Sequence, residues 1–227
     1  MHLHPATLDF LTTIKEENSR TFFASIKDLY HEIFGQFEVS IDHIIKTLVP
    51  SHPHFAGVTG KSCLFRLYRD ARRLEPGDLI YKENFGAYIT DTGKKSQKSG
   101  YYLHIQPGGS FFASGLYWCQ GKPLYNLRTH LSIHGAQYLD ITQSSDFEDR
   151  FGKVTGDSLK TYPKGFNADT PYFDIIKHKQ RLVYRHYSDA QVLAPGFLDT
   201  VVQDCLIAQP FSEFLNRGLE YEKEHLK

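Results

Sequence analysis

Long apolar runs, paired cysteines and an excess of charge of one sign are all missing from this sequence. No window approaches eighteen consecutive apolar residues, so no membrane span is expected. Of the 227 residues three are cysteine, Cys63, Cys119 and Cys205, far apart and without a CxxC pair. A sparse, odd set of this kind excludes a disulfide framework and points to reduced thiols in a cytoplasm. Lys plus Arg (26) equals Asp plus Glu (26). General binders of nucleic acid or membrane surfaces carry a basic excess, so only a local patch can serve an anionic partner here. The stretch from Met1 to Pro5 has no basic segment leading into an apolar one, and no secretory leader is expected. Repeats, low-complexity tracts and heptads are absent too.

What is present is a hydrophobic content of 41%, enough for a sizeable core in one domain spanning residues 1–227. The first part is helical, 7–49. Thr7 is placed to cap a short helix bearing Leu8, Leu11 and Ile14, and Asn18 or Ser19 to cap a second. From Phe22 to Leu48 apolar residues recur at three- and four-residue steps, predicting one long amphipathic helix that Gly35 can kink and Pro50 ends. The middle part, 62–118, is sheet-rich: Leu64–Arg69, Asn84–Asp91 and a hairpin of Tyr101–Gln106 with Ser110–Trp118 around Pro107-Gly108-Gly109. Polar Thr92–Ser99 reads as a mobile loop tip. Residues 121–227 are helical and mixed: a helix from Gly121, another near Phe147–Phe151, a helix start at Thr170-Pro171 and a strand at Gln180–Tyr187. A helical end follows Ser188-Asp189, interrupted near Pro195-Gly196 and before Pro210. Strands in the middle and helices at both ends predict an α+β fold with a mainly antiparallel sheet.

The stretch Leu64-Phe65-Arg66-Leu67-Tyr68-Arg69-Asp70-Ala71-Arg72-Arg73 sets four arginines among apolar and aromatic residues. Charges woven into an apolar run need partners, either internal carboxylates or an external anion. On a strand, alternation would put Arg66, Tyr68, Asp70 and Arg72 on one face. A guanidinium offers a planar fork of donors suited to carboxylate or phosphate, and an ion-pair network is the structural alternative. His104, between Tyr102 and Gln106, is the histidine best placed to donate to an anion or act as acid–base, against the plainer role of a hydrogen-bonded residue at the core edge. Lys160 and Lys164 flank Tyr162-Pro163, whose ring fixes where Lys164 points; solvated lysines are the alternative.

Other motifs carry less. The Gly108–Gly115 run lacks the spacing of a phosphate loop, and a strand rather than a helix follows it. His130 and His134 stand one helical turn apart, but Leu131 occupies the place where a zinc hydrolase needs Glu. No cofactor or metal is expected.

Several segments together resemble a widespread family catalogued as domain of unknown function 2461. They are Phe10-Leu11, Asn18-x-Arg20-x-Phe22-Phe23, Phe65-Arg66-x-Tyr68-Arg69-Asp70-x-Arg72 and Tyr81-Lys82. Further along come Tyr101-Tyr102-x-His104-Ile105-x-Pro107-Gly108-Gly109-Ser110, Gly115-Leu116-Tyr117, Leu159-Lys160-x-x-Pro163-Lys164-Gly165-Phe166 and Lys177-x-Lys179. The resemblance runs in order from about Phe10 to Leu219 and brings no established activity. It implies that Arg20, Arg66, Arg69, Arg72, Lys82, Lys160 and Lys164 belong to one pattern. The sequence departs from that pattern at Phe22, at Arg73 and over Leu74–Ile80, where lysines give way to acids.

The expectation for function is a small anionic ligand, phosphate- or carboxylate-bearing, held by Arg20, Arg66, Arg69, Arg72 and Lys82 beside Tyr102 and His104, with Lys160 and Lys164 as further basic groups. The alternative is a module without chemistry whose aromatics (Tyr101, Tyr102, Phe111, Phe112, Tyr117, Trp118) meet a protein or a single nucleic-acid strand.

Overall fold

Apolar spacing accounts for the helices in this computed structural model, which describes residues 2–221. Helix α1 (Thr7–Glu16) buries Leu8, Phe10, Leu11 and Ile14. Thr7 is its first residue rather than its cap, and the Thr7 hydroxyl is buried with no hydrogen-bond partner among the described residues. Ser19 Oγ accepts from Phe22 N at 3.1 Å and opens α2 (Arg20–Ser25). The helix expected to run unbroken to Val49 is interrupted at Ile26, whose φ of −111° and ψ of 15° leave the helical region; α3 (Lys27–Leu48) carries the remainder, Gly35 included. A one-turn α4 (Gly60–Cys63) follows, its first N–H donating to Asp42 Oδ1 at 2.6 Å.

Leu64–Arg69 is extended but forms no continuous strand. Leu64 bridges Ala87 and Tyr68 bridges Tyr81, both antiparallel. The register changes between the two bridges, because the partner segment holds two extra residues at Glu83-Asn84. The chain bends at Leu67, so Leu64 and Leu67 are both buried while Arg66, Tyr68 and Arg69 are exposed. Strict alternation therefore fails here: apolar burial three residues apart is satisfied by bending the backbone.

Four strands follow, β1 (Phe85–Ile89), β2 (Gly100–Ile105), β3 (Ser110–Leu116) and β4 (Arg181–Tyr187), in the antiparallel sheet order β1-β2-β3-β4. Between β2 and β3, Gly109 N donates to Gln106 O at 3.0 Å with Gly108 at φ 66°, a hairpin turn that Pro and Gly suit. After β3 come α5 (Gly121–Thr142), with non-helical angles at His134, then α6 (Ser145–Phe151) and α7 (Phe173–Ile176). The last helix starts three residues later than Thr170 because Tyr172, at φ 59°, reverses the chain first; the Thr170 hydroxyl instead closes a loop on Asn167. Beyond β4, Ser188 and Gln191 form a reciprocal capping box for α8 (Asp189–Leu193). Helix α9 (Phe197–Leu219) runs on through Pro210, an exposed residue, where an interruption was expected. The α+β fold is thus as the sequence predicts.

The chain divides into two compact units. The first takes the residues up to Ser96 with Tyr102–Phe112 and His186–Gln203. Its core joins Phe10 of α1 and Phe37 of α3 to Phe85, with ring centroids 6.0 and 5.5 Å from that of Phe85. The second takes Gln97–Tyr101, Ala113–Arg185 and the residues from Asp204 on. Its core sets Tyr138 of α5 against Phe214 of α9 at 5.5 Å, and Phe147 of α6 against Phe211 at 5.4 Å. Among the described residues no helix is long and apolar enough to cross a membrane, and the three cysteines are free.

Candidate functional site

In the first unit the arginine stretch is fastened at both ends. Asn18 donates to Tyr81 O (3.1 Å) and accepts from Tyr81 N (2.8 Å), so one amide saturates the outer edge of the residue that bridges Tyr68. Phe23 stacks on Tyr81 at 4.2 Å. That arrangement ties Asn18 and Phe23 to the arginine stretch through Tyr81. Arg20 opens α2, exposed and close enough to oppose slightly the burial that pushes the Tyr81 phenol up.

Lys82 Nζ donates to Arg66 O at 3.0 Å, and Lys94 Nζ donates to Leu64 O. Alternate carbonyls of an extended chain face the same way, so two ammonium groups sit along one side of the stretch. The Lys82 ammonium is pushed below the usual lysine range, first by burial and then by the like charges of Arg66, Arg69 and Lys94. Among the described residues neither Arg66 nor Arg69 forms an ion pair or a side-chain hydrogen bond, and both are exposed. Arg72 differs. Its Nε and Nη2 grip Asp70 at 3.0 and 2.8 Å, a two-pronged pair that holds the Asp70 carboxyl below the usual carboxylate range, with smaller help from Arg66 and Arg73. The structure therefore brings together Arg66, Arg69, Lys82 and Lys94 and neutralises Arg72 locally.

Lys94 was hidden from the sequence, where Thr92–Ser99 reads as a mobile tip. That loop is in fact fastened: Thr90 Oγ1 donates to Gly93 O at 2.7 Å, and a Cβ at Gly93 (φ 70°) would lie 2.5 Å from Ser62 O. Only glycine permits that approach, and the approach aims Lys94 at Leu64.

His104 lies on β2 in a directional chain of hydrogen bonds. Tyr102 Oη and Asn84 Nδ2 lie 3.1 and 3.4 Å from His104 Nδ1; Nε2 lies 2.8 Å from Gln106 Oε1; Gln106 Nε2 donates to Glu83 Oε1 at 3.0 Å. With two donors at Nδ1, the proton is assigned to Nε2, which donates to Gln106. The extra residues Glu83 and Asn84 supply two members of this chain. Burial lowers the His104 pKa, against Gln106 and Glu83, and raises the Tyr102 phenol to about 12. Phe111 stacks on the imidazole at 4.6 Å. Both ring nitrogens are thus in use, the geometry of a satisfied residue at the core edge; acid–base work would first require Tyr102 and Asn84 to let go.

Lys160 and Lys164 lie in the second unit, both exposed. Phe166 N donates to Pro163 O at 3.0 Å with Gly165 at φ 90°, so Pro163-Lys-Gly-Phe166 is a tight turn with Lys164 at its tip. Neither lysine has a carboxylate partner among the described residues. His130 and His134 pack ring to ring at 4.6 Å, and among the described residues no three His, Cys, Asp or Glu side chains gather as metal ligands.

No curated protein and no solved structure matches the chain. The family whose pattern runs through residues 6–214 is described as conserved hypothetical protein, DUF2461, and with nearly its whole length matched the chain belongs to that family.

Proposed function

We propose that the chain binds a small anionic ligand, phosphate- or carboxylate-bearing, at the basic group formed by Arg66, Arg69, Lys82 and Lys94. The observation that supports this is a poorly compensated charge: two exposed guanidiniums that form no ion pair among the described residues, beside two lysines whose ammonium groups are anchored on the backbone of the same stretch. Like charges gathered without a counterion repel, and the repulsion is relieved when an anion arrives. Arg20 and Arg72 play supporting parts, the second through Asp70. Tyr102 and His104 act by holding the hairpin's shape. Three free cysteines agree with a cytoplasmic setting.

Thermal unfolding at low salt against phosphates, nucleotides and carboxylates tests the reading. A ligand at one hundred times its Kd adds about 2.7 kcal/mol, which for a chain of this size raises Tm by roughly 5–10 °C. The shift should vanish in Arg66→Ala, provided that variant still unfolds cooperatively. Absence of any shift would leave the basic group a solvated surface.

A second reading, binding to a protein or a single nucleic-acid strand, is favoured by Tyr117 and Trp118, which are 69% and 67% exposed. Tyr101 and Phe112 are buried and contribute nothing to such a surface. Oligonucleotide binding that falls steeply with salt and is lost in Trp118→Ala would support it.

A further inference from the structure

In the second unit Arg181, the first residue of β4, is 1% exposed, and no carboxylate pairs with it among the described residues. Its Nη2 donates to Ile175 O at 2.8 Å and reaches Ile176 O at 3.5 Å, at the end of α7. Its Nε and Nη1 have no hydrogen-bond partner among the described residues. Half-buried Arg128, from α5, donates through Nε to the same Ile176 O at 3.1 Å and through Nη2 to His178 O at 3.5 Å. Two guanidiniums therefore converge on one carbonyl oxygen. The end of a four-residue helix offers only partial negative charge, which does not balance two cations. A buried unpaired charge is among the costliest features a fold can hold, and three or more aligned N–H donors around it are what an oxyanion needs. The groups facing this point are Tyr138 of α5, the Cys119 thiol and His178. None of them is a carboxylate.

We propose that Arg181 and Arg128 hold a small oxyanion, a carboxylate or phosphate group, whose oxygens take the free Nε and Nη1 of Arg181. This site lies on residues separate from the Arg66 group and does not depend on that reading. Burial pushes both guanidiniums below the usual arginine range, Arg181 to about 10, as expected for cations waiting for a counterion.

Cys119 reports on the site. It is half-buried, whereas Cys63 and Cys205 are buried; burial raises its thiol pKa, and the charges of Arg181 and Arg128 offset part of that rise. The thiolate is the reactive form, so neutralising the arginines slows its alkylation. The experiment measures iodoacetamide modification of Cys119 by peptide mass spectrometry in the full chain, titrating inorganic phosphate or acetate against chloride at constant ionic strength. The expected result is a saturable loss of Cys119 reactivity with at least one of the two anions, absent in Arg128→Gln and in Arg181→Met. Arg128→Gln keeps the test open if Arg181→Met fails to fold. A rate indifferent to both anions, or equal protection in the folded Arg128→Gln variant, would overturn the proposal and leave buried water as the partner of Arg181.

Discussion

His130 makes the acid stability of this chain calculable. It is 6% exposed on α5, and among the described residues neither ring nitrogen has a hydrogen-bond partner. Phe214 lies 4.7 Å away and Tyr221 5.0 Å, ring to ring. Burial, then the His134 imidazole one turn on, then the Arg217 guanidinium on α9 push its pKa from 6.5 to about 4. Because the folded value is depressed, the unfolded chain takes up the proton first as pH falls. Stability is complete above the unfolded pKa and is lost as pH drops through the window down to about 4. Between about pH 7 and pH 4.5 the loss from this one group is about 2.4 kcal/mol, or a Tm lower by roughly 5–10 °C. Carboxylates and other histidines titrate in the same window, so the assay compares urea unfolding of the wild type and His130→Phe at both pH values. Phenylalanine keeps a ring against Phe214 and cannot be protonated. The wild type should lose about 2.4 kcal/mol more than the variant on acidification. Parallel losses in the two proteins would refute the reasoning.

Asp204, fully buried, bonds Arg185 Nη1 at 2.7 Å and also pairs with Arg150 Nε. Asp204→Asn leaves two largely buried guanidiniums short of charge and should cost about 3–5 kcal/mol, read from urea midpoints; a loss under about 1 kcal/mol would refute the pairing's importance. Burial raises the phenols of Tyr30, Tyr102 and Tyr138 to about 12. The unfolded chain then releases these protons first, so stability falls as pH rises from about 10 to 12, by roughly 1.9 kcal/mol for each group over that interval. Phenolate absorbance should appear together with unfolding rather than before it. Gly115→Ala should destabilise by more than about 3 kcal/mol, since its φ of 122° excludes a side chain and a Cβ there would lie 2.0 Å from Arg181 O; a Tm within a few degrees of wild type would contradict the geometry.

Periodic patterns translated well where one side of an element meets one core. Ile33, Phe37, Ile41, Ile44 and Leu48 are all buried as their spacing predicts, and so are Leu127, Leu131 and Tyr138. Patterns misled where tertiary contacts replaced regular structure. Leu64–Arg69 has strand composition, yet the two added residues at Glu83-Asn84 break the pairing and turn Leu67 inward. Thr170-Pro171 has good helix-start chemistry, but Tyr172 fills the space over Gly135, where a Cβ would lie 2.2 Å from its ring, and takes a left-handed turn instead. Lys94 was unreadable for a related reason: a lysine in a polar loop looks solvated until a glycine lets its loop pack against Ser62.

The arginines divide by the same logic. Arg66 and Arg69 stood out because four arginines crowd ten residues, and local density is visible in a sequence. Arg181 did not, since Gln180-Arg181-Leu182-Val183 reads as the polar start of an ordinary strand. Its burial is decided by α5 and α7, which bring Arg128 and the Ile175 and Ile176 carbonyls over it from 53 and about 6 positions earlier in the chain. A charge at a strand's first residue is normally solvated, and only the enclosing elements determine otherwise. One local cue exists. Gly115, whose lack of a side chain lets β3 approach Arg181 O, marks in the sequence a place where backbone meets backbone closely. That closeness fixes the start of β4, and with it the guanidinium under the end of α7. Displacing β4 there should free Arg181 from Ile175 O and weaken oxyanion protection of Cys119 along with stability, so Gly115→Ala links the fold of this unit to the site proposed within it.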